Sequence, residues 1–161
     1  MAKKKIDLGM IATLCAVVLG VIAVIMLVAP AVVHKYSDSV KYSGWDLAFG
    51  YKEGGESIFD FSFMNFLTYA LAIAGIVCTI LSYLGKGGKY IDFIATGAFI
   101  LAGIFFFLAI PFSVISGSEE ATAKEIAELK DEFFKVGAGV IISGICSILA
   151  GLACGYKIIK K

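Results

Sequence analysis

The chain has 161 residues, 60% of them hydrophobic, and a formal net charge of +1. All 14 basic residues are lysines, which leaves no basic patch for nucleic acid and no bidentate guanidinium fork for phosphate or carboxylate. A soluble domain sits near half apolar, and the excess here is gathered into four runs, 8–33, 63–84, 90–115 and 136–156, none charged near its centre.

A helix needs about 20 apolar residues to cross a bilayer core. The four runs predict an all-α membrane protein, a single four-transmembrane-helix bundle with outer loops at 34–62 and 116–135 and the lipid bilayer as its first partner. The first run exceeds the 7–15 residues of a secretory signal core, so it reads as a retained span, with Pro30 kinking its outer end.

In the loop that follows, Trp45, Leu47, Phe49 and Tyr51 alternate with Asp46, Ala48, Gly50 and Lys52. That is the period of a strand with one apolar face. Residues 53–56 (Glu-Gly-Gly-Glu) signal a turn, and Phe59, Phe61 and Phe63 alternate beyond it. The pattern predicts a small extracellular β-hairpin. In the second span Asn65 and Thr68 lie near the outer surface. The loop at 85–89 is so short that the second and third spans form a tight hairpin. Asp92 is expected to be solvated at the inner end of the third span beside Lys89, and Pro111 to kink its outer quarter.

The second outer loop has a capping-box pattern at 116–119 (Ser-Gly-Ser-Glu). Ile126, Leu129, Phe133 and Val136 recur at helical spacing, and Glu120–Lys124 and Asp131–Lys135 are favourable i,i+4 pairs. This predicts a helix from about residue 119 that runs unbroken into the fourth span, an extended helix 4 projecting roughly three to four turns beyond the membrane.

The fourth span carries Gly139, Ser143, Ser147, Gly151 and Gly155, small residues four apart. Small residues let backbones approach closely, which is how helices associate in lipid. The stripe serves packing within the bundle or a groove for a partner helix or second copy. Cys15, Cys78, Cys146 and Cys154 all fall in the spans; without CxxC or His-containing spacing they read as packing residues, and no metal or cofactor is expected.

Charge is sorted between the two sides. The termini and the 85–89 loop carry eight lysines against two acids, and the outer loops six lysines against eleven acids. The lysine bias predicts a cell-membrane protein with both termini cytoplasmic.

Four spans, internal termini, a β-bearing first outer loop and a shorter second one resemble the claudin and peripheral-myelin-protein type of tetraspan. Residues 44–47 (Gly-Trp-Asp-Leu) stand where that family has Gly-Leu-Trp, and this loop holds no cysteine. The resemblance implies an adhesive role.

No HExxH, GxSxG or glycine-rich phosphate loop occurs, so the reading is non-enzymatic: a scaffold, adhesion or accessory subunit. The alternative is a small-solute or ion transporter or channel subunit active as an oligomer. Two outer apolar sets are the expected interaction residues: Trp45, Phe49 and Tyr51, and Ile126, Leu129 and Phe133. Apolar faces of this kind pack on each other or meet a partner, and mutual packing is the simpler expectation.

Overall fold

The computed structural model describes residues 8–87, 90–117 and 122–160. Its elements are α1 (Leu8–Ile25), a 3-10 turn (Met26–Val28), β1 (Pro30–His34), β2 (Ser37–Ser43), α2 (Gly44–Phe49), β3 (Tyr51–Glu53), β4 (Glu56–Asp60), α3 (Phe63–Tyr83), α4 (Tyr90–Phe107), α5 (Ala109–Phe112), β5 (Val114–Ile115), α6 (Ala123–Phe133), β6 (Phe134–Val136) and α7 (Ala138–Lys160). Four of its helical segments, Leu8–Val28, Phe63–Tyr83, Tyr90–Phe107 and Ala138–Ile159, are long and apolar enough to cross a membrane.

These four helices form a ring in which α1 packs on α3, α3 on α4, α4 on α7 and α7 on α1. Phe99 of α4, fully buried, fills the centre. A Cβ on Gly20 of α1 would sit 2.8 Å from its ring, and one on Gly75 of α3 2.9 Å; two glycines therefore make the room this one phenyl occupies. The outward faces stay apolar, with Leu14, Val18, Ile73, Val77, Leu101 and Leu152 all exposed.

One end of the ring is closed by a layer laced from the two longer loops. The first loop supplies two antiparallel hairpins, β1–β2 and β3–β4, and the second loop adds one strand to each. β6 pairs with β1 (Val32 opposite Val136, His34 opposite Phe134), and β5 pairs with β4 (Phe59 opposite Ile115). Between the two sheets lies an aromatic core of Tyr42, Tyr51, Phe59 and Phe134, whose ring centroids are 4.9 Å apart for Tyr42–Phe59 and 5.6 Å for Phe59–Phe134. Edge and tilted contacts of this kind add to the area they bury.

Several expectations are corrected. The first helix stops at Ile25, and Pro30 opens a strand rather than kinking a helix; at the first position of β1 proline removes no ladder bond that matters. Trp45, Leu47 and Phe49 lie on α2, not on a strand. Ser43 caps that helix by accepting from the Asp46 N–H at 3.2 Å while its own N–H donates to the Asp46 carboxylate at 2.7 Å, and Gly50 ends it at φ +94°. The hairpin does turn at Gly54 and Gly55, both at positive φ, but its strands are 51–53 and 56–60.

The fourth span is not an extended helix. Residues 134–136 are a strand between α6 and α7: the Lys35 N–H donates to Phe133 O, and Gly137 N–H to Ala31 O, both at 2.8 Å. Pairing with β1 and placing Phe134 in the aromatic core outweigh the propensity to continue the helix, a tertiary override of the local pattern. α6 is capped by Thr122 and Glu125, whereas Glu119 and Glu120, named in the expected box and the Glu120–Lys124 pair, lie outside the described residues. Lys135 pairs with Asp38 at 2.6 Å, not with Asp131. The third span, α4, ends at Phe107, because Pro111 cannot donate to the preceding turn; the short α5 and the strand β5 follow.

Candidate functional site

The two predicted apolar sets do not pack on each other. Trp45 and Phe49 of α2 stack at 4.2 Å, and Phe49 lies 5.8 Å from Phe66 of α3 and 6.5 Å from Phe61. All four rings are exposed, Trp45 by 52% and Phe61 by 53%. Tyr51 instead enters the layer's aromatic core, 5.5 Å from Tyr42. On the other loop, Phe133 contacts His34 and Tyr36 at 5.8 and 5.9 Å, Leu129 is exposed, and Ile126 lines a cleft of about 520 Å³ between α6, α5 and the end of α4.

The stripe on α7 faces inward. Ser143, fully buried, donates to Ala23 O of α1 at 2.9 Å. A Cβ on Gly151 would sit 2.8 Å from Ile100 and 3.3 Å from Thr96 O of α4, and one on Gly139 2.8 Å from Pro30 O. Gly155 has ordinary clearance, 3.8 Å from Thr96. Ser147 is also fully buried, and its hydroxyl has no hydrogen-bond partner. Four of the five residues are thus occupied by the chain's own helices and by the start of β1.

Two polar clusters escaped the reading of the sequence. At the β-layer end, the helix-breaking Pro111 leaves a run of carbonyls that side chains satisfy. Asn65, buried in α3, donates to Ala109 O at 3.2 Å and Leu47 O at 3.4 Å, and Ser62 donates to Phe112 O at 2.6 Å. Lys130 of α6 donates to Pro111 O at 3.0 Å and also to Ser113 O. Burial pulls the Lys130 ammonium below the usual lysine range. The available signal was a lone lysine between Ile126 and Phe133.

At the opposite end of the ring, Asp92 is not solvated. It is 2% exposed, its carboxylate accepts from Ser82 of α3, and the Lys157 ammonium of α7 lies 3.3 Å away. Lys157 also donates to the Ser82 hydroxyl at 2.8 Å. Lys89, its expected neighbour, lies outside the described residues. A turn deeper, the Thr79 hydroxyl meets Cys154 Sγ at 3.3 Å. Cys15 is exposed and Cys78 and Cys146 are half-buried; among the described residues no three His, Cys, Asp or Glu side chains converge as metal ligands would.

Compared with family models, with curated proteins and with solved structures, the chain matches none.

Proposed function

We propose that the chain is a non-enzymatic multi-pass membrane protein that acts through contacts: a scaffold, adhesion or accessory subunit with its β layer outside and both termini cytoplasmic. The apolar outward faces of the four long helices support immersion in lipid, since monomeric soluble proteins rarely expose such continuous surface. The lysine bias supports the orientation. The order of four spans with a β-bearing first loop resembles the claudin and peripheral-myelin-protein type of tetraspan, and that resemblance is part of the proposal.

The observation that carries the contact role is the exposed quartet of Trp45, Phe49, Phe61 and Phe66 at the junction of α2 and α3. Clustered aromatic anchors are what protein contacts are built around. The test is in-membrane photocrosslinking from residue 49, comparing wild type with Trp45→Ala and Phe61→Ala at matched expression and melting temperature. Loss of discrete protein adducts in both variants supports the reading. Adducts to lipid alone in the wild type would overturn it and leave the quartet as an interfacial belt.

The buried Asp92–Lys157 pair favours a second reading, a small-solute or ion transporter subunit, because ionisable groups inside membranes commonly mark pathways. Against it, Phe99 plugs the ring centre between Gly20 and Gly75. Solute flux into liposomes by the purified protein decides between the two.

A further inference from the structure

We infer that the cleft beneath α6 is a binding site for a single-chain amphiphile with a carboxylate head, the head bonded to Lys130 and the chain laid along Phe107, Ile110, Ile126 and Val136. This goes beyond the contact role proposed above and concerns a different face of the outer layer.

The volume, about 520 Å³, lies within the roughly 300–1,000 Å³ of small-molecule sites, which are mostly apolar with a few placed polar groups. Here the apolar walls come from the end of α4, from α5, from one face of α6 and from β6. The placed polar group is Lys130, only 9% exposed.

Its bonding is what selects an anion. An ammonium has three N–H donors. Two go to the Pro111 and Ser113 carbonyls, which leaves one. Among the described residues no carboxylate lies within ion-pair distance of it. The neighbouring Asp131 also borders the cleft, but its side chain is 96% exposed and turned to Lys35 at 3.9 Å. A buried ammonium held by neutral dipoles alone is incompletely compensated. A carboxylate delivered with an apolar chain supplies both the missing charge and the surface to fill the walls. A neutral head supplies only the second.

The experiment uses the full chain in phosphatidylcholine nanodiscs and a stearate analogue carrying a diazirine on its chain, with adducts mapped by mass spectrometry. Adducts are expected on α5 and α6 residues bordering the cleft, competed by oleate at about tenfold lower concentration than by oleyl alcohol, which has the same tail and no charge. Two variants separate site from fold. Lys130→Gln keeps a donor for the carbonyls and loses the charge; Ala127→Trp fills the cleft and keeps the ammonium. Each is expected to cut cleft adducts about tenfold with unchanged helicity and elution volume, and if one fails to fold the other carries the test. Cleft adducts unchanged by the variants, adducts spread evenly over the lipid-facing helices, or equal competition by oleyl alcohol would each overturn the proposal.

Discussion

The Lys157 ammonium of α7 sits 3.3 Å from the Asp92 carboxylate of α4, and both touch the Ser82 hydroxyl of α3. The hairpin of α3 and α4 is thereby pinned to α7, distant in the chain, at the end opposite the β layer. Asp92 is 3% exposed and Lys157 13% as side chains, so neither partner has bulk water to fall back on. Breaking a buried pair on one side costs about 3–5 kcal/mol, because the other charge is stranded, whereas replacing both with apolar groups is often neutral. Asp92→Ala and Lys157→Met alone are therefore expected to lower the melting temperature in detergent sharply, and Asp92→Leu with Lys157→Met together to recover most of the loss. Singles that melt like wild type would show the pair to be ornamental.

Ser143 and Ser147 share one face of α7 and are equally buried, yet only Ser143 has a partner, Ala23 O at 2.9 Å. A satisfied hydrogen bond contributes roughly 0.5–1.5 kcal/mol, while a buried hydroxyl without one is a desolvation cost. Ser143→Ala is expected to destabilise by about 1 kcal/mol and Ser147→Ala to be neutral or stabilising. Thermal unfolding of the two variants side by side checks this; the idea fails if their order is reversed.

The glycines separate in the same way. A side chain at Gly151 must displace Ile100 or the Thr96 carbonyl, and one at Gly139 the backbone of Ala29 and Pro30, whereas nothing lies within 4 Å of a Cβ at Gly97. Gly151→Leu and Gly139→Leu are expected to destabilise by more than the roughly 1–3 kcal/mol typical of overpacking, since backbone atoms cannot yield as side chains do. Gly97→Ala, free of contacts in α4, is expected to gain up to about 1 kcal/mol from helix propensity. Oligomer size by light scattering adds a second readout: the stripe packs within one chain, so misassembly should follow unfolding, not precede it.

The four long helices were legible because run length and missing charge are properties of the chain itself. The small-residue stripe on α7 was legible for the same reason, since four-residue spacing marks a face whatever that face meets. The lacing of the β layer was not. β5 and β6 are two and three residues long, and they are strands only because β4 and β1 lie beside them. Trp45–Leu47–Phe49 alternates as a strand does, but Ser43 and Asp46 three residues apart carry the capping signature of a helix. Asp92 looked like an end group because its partner is 65 positions away, and a lone charge near the end of an apolar run reads the same whether it is wet or paired.

Tyr42 is the hub of the layer, with ring contacts to Tyr51, Phe59 and Phe134. It is 7% exposed and touches residues from both sheets. Large aromatic truncations in cores cost about 3–5 kcal/mol. Tyr42→Ala is expected to unlace β5 and β6 while the four long helices persist. The reading is hydrogen exchange by mass spectrometry: protection lost over 30–60, 114–115 and 134–136, retained over 63–83 and 138–160. Uniform loss across all segments would show that the layer and the helix ring fold as one unit.

The start of α6 supplies a pH dependence whose sign is determined. Glu125 accepts from the Thr122 N–H and hydroxyl, both at 2.8 Å, and these bonds, the backbone one foremost, hold its carboxyl below the ordinary value of 4.5. A depressed acid in the folded state contributes its stabilisation above the unfolded value, and the contribution is lost as pH falls through the folded one. The window therefore opens at 4.5 and runs downward. Because Glu125 is exposed, the effect is local: amide protection in the first turn of α6 is expected to fall with acidification through that window, after correction for intrinsic exchange rates. Glu125→Gln keeps an acceptor but does not titrate, so its protection should stay level over the same range. A wild-type profile as flat as that of the glutamine variant would mean that the box does not hold the α6 terminus.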